Sequence, residues 1–447
     1  MSDFFSAFGK VSKDEWRDKI VADLKGKDPA LLEYSDVIEE IEYKAYYHAD
    51  DISDSLPLPG NYPLTRGLNE PNRRWTNCFF LEVNDESADN KKLLDVLMKG
   101  VDGLIIKGNN NTNYSILLDG IGLNHIQTQF YVDSFDHYQS IKKVVGDVES
   151  VRFNLDLLQA NSNLQEIAES LKEKQQSTFI VNAAAIQQCG ANSSQEIAFA
   201  LNAGHEYLLQ LMQAGLSIDD ASACIHFHLG VGNDYFIETA KFRTFRTLWS
   251  KLVNAYNPAH GCSCNCHITG VVGLSNKSLV DPYTNLLRQT TEAMSALQGG
   301  VNSLLVLPYD YNSTKPTELA ERMAINISLI LKEESYFDKV NDPAGGGYTI
   351  ETLTTEIGKK AWALFQELES KGGLFNDSCI EYFKEVVSKK RVQRIELYGD
   401  QSKTLIGVNK FPAIEPKENN WKSASDYLGM ETLILEQEIK TELHEQS

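Results

Sequence analysis

Eight short apolar runs recur along the middle of the 447-residue chain, and longer amphipathic stretches separate most of them. Each run is rich in β-branched and aromatic residues and spans only five to seven residues, as buried strands of a parallel sheet do. The runs are CFFLEV (78–83), GLIIK (103–107), TQFYV (128–132), VRFNL (151–155), TFIVN (178–182), ACIHFHL (223–229), CNCHIT (264–269) and SLLVL (303–307).

The stretches between these runs carry apolar positions at helical spacing. Helices are therefore predicted at residues 163–172, 193–214, 234–253, 281–297 and 317–332. Eight strand–helix alternations over roughly 230 residues match an eightfold β/α barrel of the TIM type better than an open doubly wound sheet. The pattern thus predicts an α/β barrel.

The two ends of the chain differ from this middle part. The first sixty residues are charged, show one helical pattern at 10–26, and finish in the proline-rich stretch DSLPLPGNYP (54–63). After the barrel, helical patterns return at 351–371, 377–389 and 431–445. We therefore predict three segments, which are an N-terminal arm (1–60), the barrel (61–345) and a C-terminal helical extension with a linker (346–447).

Charge and composition argue against several classes of partner. A formal net charge of −20 repels nucleic acid and anionic membrane surfaces. No apolar run approaches the ~18–20 residues that span a bilayer, and the N-terminus lacks the basic start and apolar stretch of a signal peptide. Seven cysteines without a framework spacing fit a reducing compartment. We expect a cytoplasmic protein that binds neither nucleic acid nor membranes.

The stretch HGCSCNCHITG (260–270) is a candidate metal site. In an extended segment Cys262, Cys264 and Cys266 would point to one face, with His260 or His267 as a fourth ligand. Such a row places neighbouring side chains about 7 Å apart in a straight line, so it cannot wrap a tetrahedral ion alone. The favoured interpretation is that the three small thiols fill the barrel interior at strand seven.

Two histidines on the sixth predicted strand are candidates for acid–base or ligand chemistry. His226 and His228 flank Phe227, so they face the same side, beside the C-terminal end of a barrel strand. A packing role is the alternative, because no carboxylate at ligand spacing accompanies them. The basic and aromatic run at 238–252 is interpreted as an outer helix of the barrel with solvated charges.

Four segments in the second half of the chain resemble the methylmalonyl-CoA mutases. They are YFIETAKFRTFRTLWSKL (235–252), DPYTNLLRQTTEAMSALQGGVNSLLVLPYD (281–310), LAERMAINISLILKEESYFDKVNDPAGGGYTIE (319–351) and LIGVNKF (405–411). Upstream, NYPLTRG (61–67) is similar to the entry motif of that family. The arm at 14–51 resembles the small subunits of the two-chain mutases.

The resemblance implies a β/α barrel whose axis threads the acyl-CoA tail, capped by a C-terminal cobalamin domain. In the active enzymes an adenosyl radical starts the interconversion of succinyl-CoA and methylmalonyl-CoA, and a histidine polarises the thioester oxygen. This chain departs from the family at that histidine. The stretch NAAAIQQCGA (182–191) aligns with the loop that carries it, so Ala185 stands at the histidine position.

Other positions that the resemblance marks as functional are also altered. LNEPNRRWTNCFF (68–80) keeps Trp75 but lacks the family's tyrosines, and His267-Ile268-Thr269 stands where the family has His-Cys-Gln. No histidine has an aspartate two residues before it, as the cobalamin-ligand motif D-x-H-x-x-G requires. We therefore expect no catalytic residue and no cofactor site in this chain. The resemblance leaves a vestigial pocket with the candidate residues Asn182, Gln187, His226, His228, His267 and Thr269.

Three functions follow as hypotheses. The first is a non-catalytic small (beta) subunit of an adenosylcobalamin-dependent methylmalonyl-CoA mutase in propionate metabolism. It would form a heterodimer with a large (alpha) subunit that binds the cofactor. The second is the substrate-binding barrel of an acyl-CoA mutase that works with a separate cobalamin-binding chain. The third is an independent thiol- or metal-dependent barrel protein.

Overall fold

The computed structural model describes residues 9, 11–52, 56–68, 74–159, 177–412 and 420–445. The helix predicted at 163–172 lies outside the described residues. The α-helices are α1 (Lys13–Asp23), α2 (Glu86–Met98), α3 (Tyr114–Leu117), α4 (Phe135–Val145), α5 (Ala183–Gln188), α6 (Ser193–Gln213), α7 (Ile218–Ala223), α8 (Tyr235–Asn254), α9 (Thr284–Gly299), α10 (Glu318–Glu333), α11 (Tyr348–Ser370), α12 (Asp377–Gly399) and α13 (Leu435–Glu445). The strands are β1 (Tyr34–Asp36), β2 (Ile41–Tyr43), β3 (Thr76–Glu82), β4 (Gly103–Lys107), β5 (Gln127–Val132), β6 (Val151–Leu155), β7 (Phe179–Asn182), β8 (Ile225–Val231), β9 (His267–Val272), β10 (Ser303–Leu305), β11 (Asp426–Tyr427) and β12 (Met430–Glu431).

Eight parallel strands, β3 to β10, close into a barrel. Each strand pairs with its neighbour in chain order, and β10 pairs with β3, where Leu305 lies opposite Cys78. All eight strands end at the same side, called here the C-terminal mouth, because parallel strands share one direction. The structure confirms the predicted TIM-type barrel. The segment boundaries at 60 and 345 stay predictions.

The seventh barrel strand begins later than predicted. Residues Gly261–Cys264 form a turn of 3₁₀-helix, and β9 starts only at His267. The sixth strand also starts later, at Ile225, because α7 continues through Ala223. The prediction of a strand at 264–269 is therefore wrong for the part that carries the cysteines and holds only from His267 onwards.

The main apolar core lies between the barrel strands and the surrounding helices. The outward-facing Phe227 on β8 packs edge-to-face against Phe245 and Trp249 of α8, with ring centroids 4.7 Å apart in both pairs. A side chain at Gly204 of α6 would collide with the Trp249 ring, so this glycine permits the close approach of α6 and α8. These contacts fix α8 on the outside of the sixth strand.

The two ends of the chain meet at the C-terminal mouth. The β1–β2 hairpin of the arm contacts the barrel where the Tyr43 hydroxyl donates to Asp234, at 2.9 Å. In the same hairpin Asp36 forms an ion pair with Lys403 of the C-terminal extension, at 2.6 Å. None of the helices in the described part of the chain combines the length and apolar character needed to cross a bilayer.

Candidate functional site

Ala185 lies at the C-terminal mouth, on the short helix α5 that directly follows barrel strand five. Its methyl group is half-buried and packs against the main core, and it has no polar atom beyond the backbone. The helix begins after Asn182, whose side chain makes no capping hydrogen bond. In the strand register Asn182 lies opposite His228, so two of the candidate pocket residues are neighbours on adjacent strands.

His226 is held inside the barrel by two hydrogen bonds. Its Nε2 lies 2.7 Å from Asn154 Oδ1 and its Nδ1 lies 2.8 Å from the Ser177 hydroxyl. A neutral imidazole satisfies both contacts if Nε2 donates and Nδ1 accepts. Burial lowers the pKa of His226 well below its usual value, and repulsion from His228, His267 and Arg152 lowers it further. His226 is therefore neutral and fully engaged.

His228 belongs to a second hydrogen-bonded group in the same wall. Its Nε2 lies 2.8 Å from Gln129 Oε1, and the amide nitrogen of Gln129 donates to the Thr269 hydroxyl at 3.3 Å. His228 is 1% exposed and Gln129 is 2% exposed, so both side chains are shielded from bulk solvent. Burial alone lowers the pKa of His228 to about 3. This ring is a neutral hydrogen-bond donor at physiological pH.

The expected placement of the two histidines beside the C-terminal end of their strand is wrong. They do face the same side, as predicted, but β8 continues through Gly230 to Val231. His226 and His228 are consequently the second and fourth residues of a seven-residue strand, inside the barrel and not at its mouth. Gly230 and Val231, which follow the predicted run at 223–229, are part of the buried strand.

His267 lies at the opposite end of the barrel, where β9 begins. Arg152 approaches its Nδ1 at 3.4 Å, and its Nε2 lies 3.1 Å from the Ser303 hydroxyl. Burial lowers the pKa of His267 well below its usual value, and the positive charge of Arg152 adds to that shift. Both ring nitrogens are thus occupied, and the strand register places His267 level with His226 and not at the mouth where Ala185 lies.

The barrel interior therefore has a polar wall and an apolar wall. The polar wall is formed by Gln129, Arg152, Asn154, Ser177, His226, His228, His267 and Thr269. The apolar wall includes Cys78, Ile105 and Leu305, with Phe80 and Tyr131 packed against them. The Tyr131 ring lies nearly perpendicular to the rings of both Phe80 and His228, with centroids 6.4 Å apart in each pair, and so joins the two walls.

Gln187 is not part of the polar wall. It lies at the mouth beside Gly230, where an added Cβ atom would meet its side chain, and its Oε1 has no partner among the described residues. Gln187 lines a cavity of about 460 Å³ together with Asp234, Glu238 and Lys403. The candidate pocket residues are thus divided between the barrel axis and this separate cavity.

The three cysteines of the thiol stretch do not fill the barrel interior. Cys262 is exposed and Cys264 is buried in the 3₁₀ turn, while Cys266 lies just before β9. Burial raises the pKa of Cys266 to about 12, against the opposing effect of the nearby Arg246. Within the described ranges no group of three or more histidine, cysteine or acidic side chains is arranged to hold a metal ion.

Four charged side chains of the run 238–252 are buried and only Lys251 is exposed, which corrects the interpretation of a solvated face. Lys241 is 0% exposed, and its ammonium group lies 2.7 Å from Glu196 and 2.6 Å from Glu238. Burial acts to lower the pKa of Lys241, but the two carboxylates outweigh it and raise that pKa above its usual value. Burial is also the main cause that raises the pKa of Glu238 to about 7.

A second buried charge on the same helix is Arg243. Its guanidinium group pairs with Asp342 and lies 2.5 Å from Glu351, and all three side chains are buried. The partners come from segments about a hundred residues later in the chain. The sequence of the run 238–252 does not predict that Asp342 and Glu351 pair with Arg243. Its aromatic positions correctly indicated packing on the barrel.

The C-terminal extension covers part of the mouth. After the fourth barrel strand, β6, the Tyr427 hydroxyl donates to Asp156 at 2.7 Å. After the fifth barrel strand, β7, the Leu433 N–H donates to the Gln188 carbonyl at 2.8 Å. Near strand seven the Leu435 N–H donates to the Ser275 carbonyl at 2.9 Å. The segment 427–435 therefore lies over the loops that follow three of the barrel strands.

These features define a TIM-type β/α barrel whose axis carries a hydrogen-bonded polar wall and whose mouth is partly covered by its own extension. A family model described as methylmalonyl-CoA mutase matches residues 154–438. A methylmalonyl-CoA mutase small subunit of Porphyromonas gingivalis is 33% identical, over 91% of this chain and 71% of the relative. The chain belongs to the methylmalonyl-CoA mutase family.

Two further relatives show how the similarity is distributed. A probable methylmalonyl-CoA mutase small subunit of Mycobacterium tuberculosis is 27% identical, over 87% of this chain and 68% of the relative. A methylmalonyl-CoA mutase of Rhizobium meliloti is 34% identical, but the match covers only 51% of this chain and 32% of that protein. The match to the small subunit of Porphyromonas gingivalis thus covers more of this chain than the match to the Rhizobium meliloti mutase.

Proposed function

We propose that this chain is the non-catalytic small subunit of an adenosylcobalamin-dependent methylmalonyl-CoA mutase. In this proposal it pairs with a large subunit that binds the cofactor and carries out the turnover. The long matches to relatives named small subunits, from Porphyromonas gingivalis and Mycobacterium tuberculosis, support the proposal. The cytoplasmic location and the role in propionate metabolism belong to the same proposal.

The observation that carries the proposal is Ala185 at the position where the family resemblance expects a histidine. A methyl group donates no hydrogen bond, and removing one such donor to a developing oxyanion costs on the order of 10²–10³ in rate. Its position on α5 at the C-terminal mouth is the end of a β/α barrel where catalytic residues occur. Position 185 thus lies where a catalytic residue would be expected, but alanine provides no side-chain hydrogen-bond donor there.

The polar wall supplies no substitute for the missing histidine. Both nitrogens of His226 and both nitrogens of His267 already have partners. His228 donates from Nε2 to Gln129 and is surrounded by buried side chains. A buried donor that gives up its partner leaves an unsatisfied carbonyl, which costs about 1–3 kcal/mol. These imidazoles therefore have a structural role in the proposal.

Adenosylcobalamin does not fit the residues present here. The histidines lack the aspartate spacing of the family's axial-ligand motif, and the segment 427–435 covers loops at the mouth where a cofactor would face the barrel. We therefore assign the cofactor to the proposed large subunit and derive no step through it in this chain.

Co-expression with a candidate large subunit tests the proposal. We expect the two chains to co-purify as a 1:1 complex by light scattering, with mutase turnover that depends on the large subunit. This chain alone is expected to give no turnover, and turnover after addition of a separate cobalamin-binding chain would instead support the second hypothesis. Failure of every large subunit to bind would contradict the proposed partner.

The arm provides a specific variant for this experiment. Leu31 is 71% exposed on the arm, and Leu287 on the barrel helix α9 is also 71% exposed. An exposed leucine that becomes buried in an interface contributes about 1.5–3 kcal/mol. Because we place the partner on the arm, Leu31→Asp should weaken the complex at least tenfold, while the matched control Leu287→Asp should leave it unchanged. Equal effects of the two variants would refute docking through the arm.

Ala185→His gives a test that does not depend on the partner. The single change restores an imidazole but neither the cofactor nor an open axial path, so we expect succinyl-CoA formation by the isolated variant to stay at background. Measurable turnover in the variant, after incubation with adenosylcobalamin, would show that the chain is a latent enzyme and that the proposal is wrong.

A further inference from the structure

A cavity of about 360 Å³ lies at the N-terminus of α6, outside the barrel axis and outside the 460 Å³ cavity at the mouth. It is called here the α6 cavity, and the residues used below are Glu40, Ser194, Lys360, Lys389 and Lys390. They come from the β1–β2 hairpin and from helices α6, α11 and α12. We propose that the α6 cavity is a binding site for the phosphate group of a small molecule.

The helix end supplies the first element of this site. α6 is 21 residues long, and its first turn carries N–H groups that have no partner within the helix. The Ser193 N–H donates to Glu39 at 2.9 Å and the Gln195 N–H donates to Asn192 at 2.9 Å. The Ser194 N–H between them has no acceptor in the described ranges. The partial positive charge of a helix N-terminus favours an anion at such a donor.

Ser194 supplies an independent second element. The residue lines the α6 cavity, is only 6% exposed, and its hydroxyl oxygen has no hydrogen-bond partner among the described residues. Buried hydroxyl groups in folded proteins are nearly always hydrogen-bonded. A ligand oxygen in the cavity would satisfy both the hydroxyl and the N–H of this one residue.

The charges around the cavity select the ligand class. Lys360, Lys389 and Lys390 line it and Glu40 is its one lining carboxylate, in a chain whose net charge is −20. Glu40 lies 2.6 Å from Lys390 and 3.8 Å from Lys360, and its pKa is lowered chiefly by the hydrogen bond from Lys390. Lys389 is exposed, and no described side chain pairs with it.

This balance of charges favours a phosphate group. Three lysines and one carboxylate line the cavity, so its lining carries a net charge of about +2, which matches a group that carries about two negative charges at neutral pH. The cavity volume of about 360 Å³ is many times the roughly 30 Å³ that one water occupies in the liquid, so a phosphate ion alone would not fill the cavity. The cavity is therefore large enough for a phosphate monoester with a small organic part.

Titration calorimetry with inorganic phosphate and with ribose 5-phosphate, at constant ionic strength, tests the site on the full chain. We expect saturable binding of ribose 5-phosphate that Lys389→Gln weakens about tenfold and Ser194→Ala weakens several-fold. Tighter binding of the ester than of inorganic phosphate would identify a phosphorylated small molecule as the ligand. Equal binding would limit the site to a free anion and overturn the assignment to an ester.

Lys359→Gln is the matched control. Lys359 is exposed next to Lys360 on α11 but lines a different groove, so the variant changes the net charge equally without touching the α6 cavity. It should bind ribose 5-phosphate as the wild type does. No binding by the wild type, or equal weakening by Lys359→Gln and Lys389→Gln, would overturn the proposal. Circular dichroism of Ser194→Ala separates a lost hydroxyl from a lost fold.

Discussion

The three imidazoles of the polar wall make a prediction about acid stability. His226, His228 and His267 have pKa values lowered below the usual value by burial, and each is neutral inside the barrel. In the unfolded chain the same side chains bind a proton near pH 6.5. The unfolded state therefore takes up more protons than the folded state as the pH falls below 6.5, and stability is lost in that range.

The size of the effect can be worked out for His228. Its pKa is about 3 in the folded protein, so at pH 5.0 the ring is still neutral there but charged in the unfolded chain. Between pH 6.5 and pH 5.0, an interval of about 1.5 pH units, only the unfolded chain takes up this proton. The free energy of unfolding therefore falls by about 2 kcal/mol between pH 7.5 and pH 5.0. His226 and His267 act in the same direction and add to this loss.

Urea unfolding at pH 7.5 and pH 5.0, followed by tryptophan fluorescence, measures this effect. The variant His228→Gln keeps a polar side chain in the wall but cannot be protonated, so its pH-dependent loss should be about 2 kcal/mol smaller than that of the wild type. The other titrating groups are present in both proteins, and burial, the largest cause of the lowered pKa of His226 and of His267, is the same in both. As a control, His125→Gln changes an exposed histidine and should leave the wild-type pH dependence intact. If His228→Gln loses as much stability as the wild type, the buried neutral state of His228 is refuted.

Three further predictions concern the buried charges and the thiols. Glu238 has a raised pKa of about 7, so its ionisation lowers the stability of the folded protein as the pH rises from 4.5 through 7. In urea unfolding, the free energy of unfolding of Glu238→Gln should therefore rise by about 2 kcal/mol relative to that of the wild type between pH 5.5 and pH 8. A difference between the two proteins that does not change with pH would contradict this. Lys241→Met leaves Glu196 and Glu238 without their cation and should cost about 3–5 kcal/mol, whereas Lys251→Met at an exposed position of α8 should stay within about 0.5 kcal/mol. Elemental analysis should find no stoichiometric zinc, and zinc that disappears in Cys264→Ser would revive the hypothesis of a metal-dependent barrel.

The barrel could be predicted from the sequence because each of its strands has a recognisable local pattern of apolar and β-branched residues. GLIIK and VRFNL are short, β-rich and buried on both faces, and the structure places β4 and β6 at the predicted residues. Strand seven was misplaced because CNCHIT has the same alternation, although its first residue closes a 3₁₀ turn over Gly261–Cys264. Alternation alone does not distinguish a strand from the turn that leads into it.

The burial of these charges could not be predicted because Glu196, Asp342 and Glu351 are distant in sequence from α8, and the one local partner, Glu238, is compatible with a solvated helix face. A lysine at position 241 with solvated neighbours and a lysine buried between Glu196 and Glu238 give the same local pattern. The same limit applies to the two histidines of β8. Their common side follows from the spacing, but their engagement with Asn154 and Gln129 depends on the closed register of the sheet.

Ala185 and the polar wall bear on the proposed function independently of each other. The first is the absence of one donor at the mouth, and the second is a set of engaged side chains along the axis that the family resemblance expects to thread an acyl-CoA tail. Restoring a histidine at 185 leaves His228 bonded to Gln129 inside the barrel. Opening that wall would expose polar groups that now satisfy one another, at about 1–3 kcal/mol for each buried group left unpaired. Mutase activity would therefore require changes at two separate places in the chain. For this reason we expect the single variant Ala185→His to show no turnover.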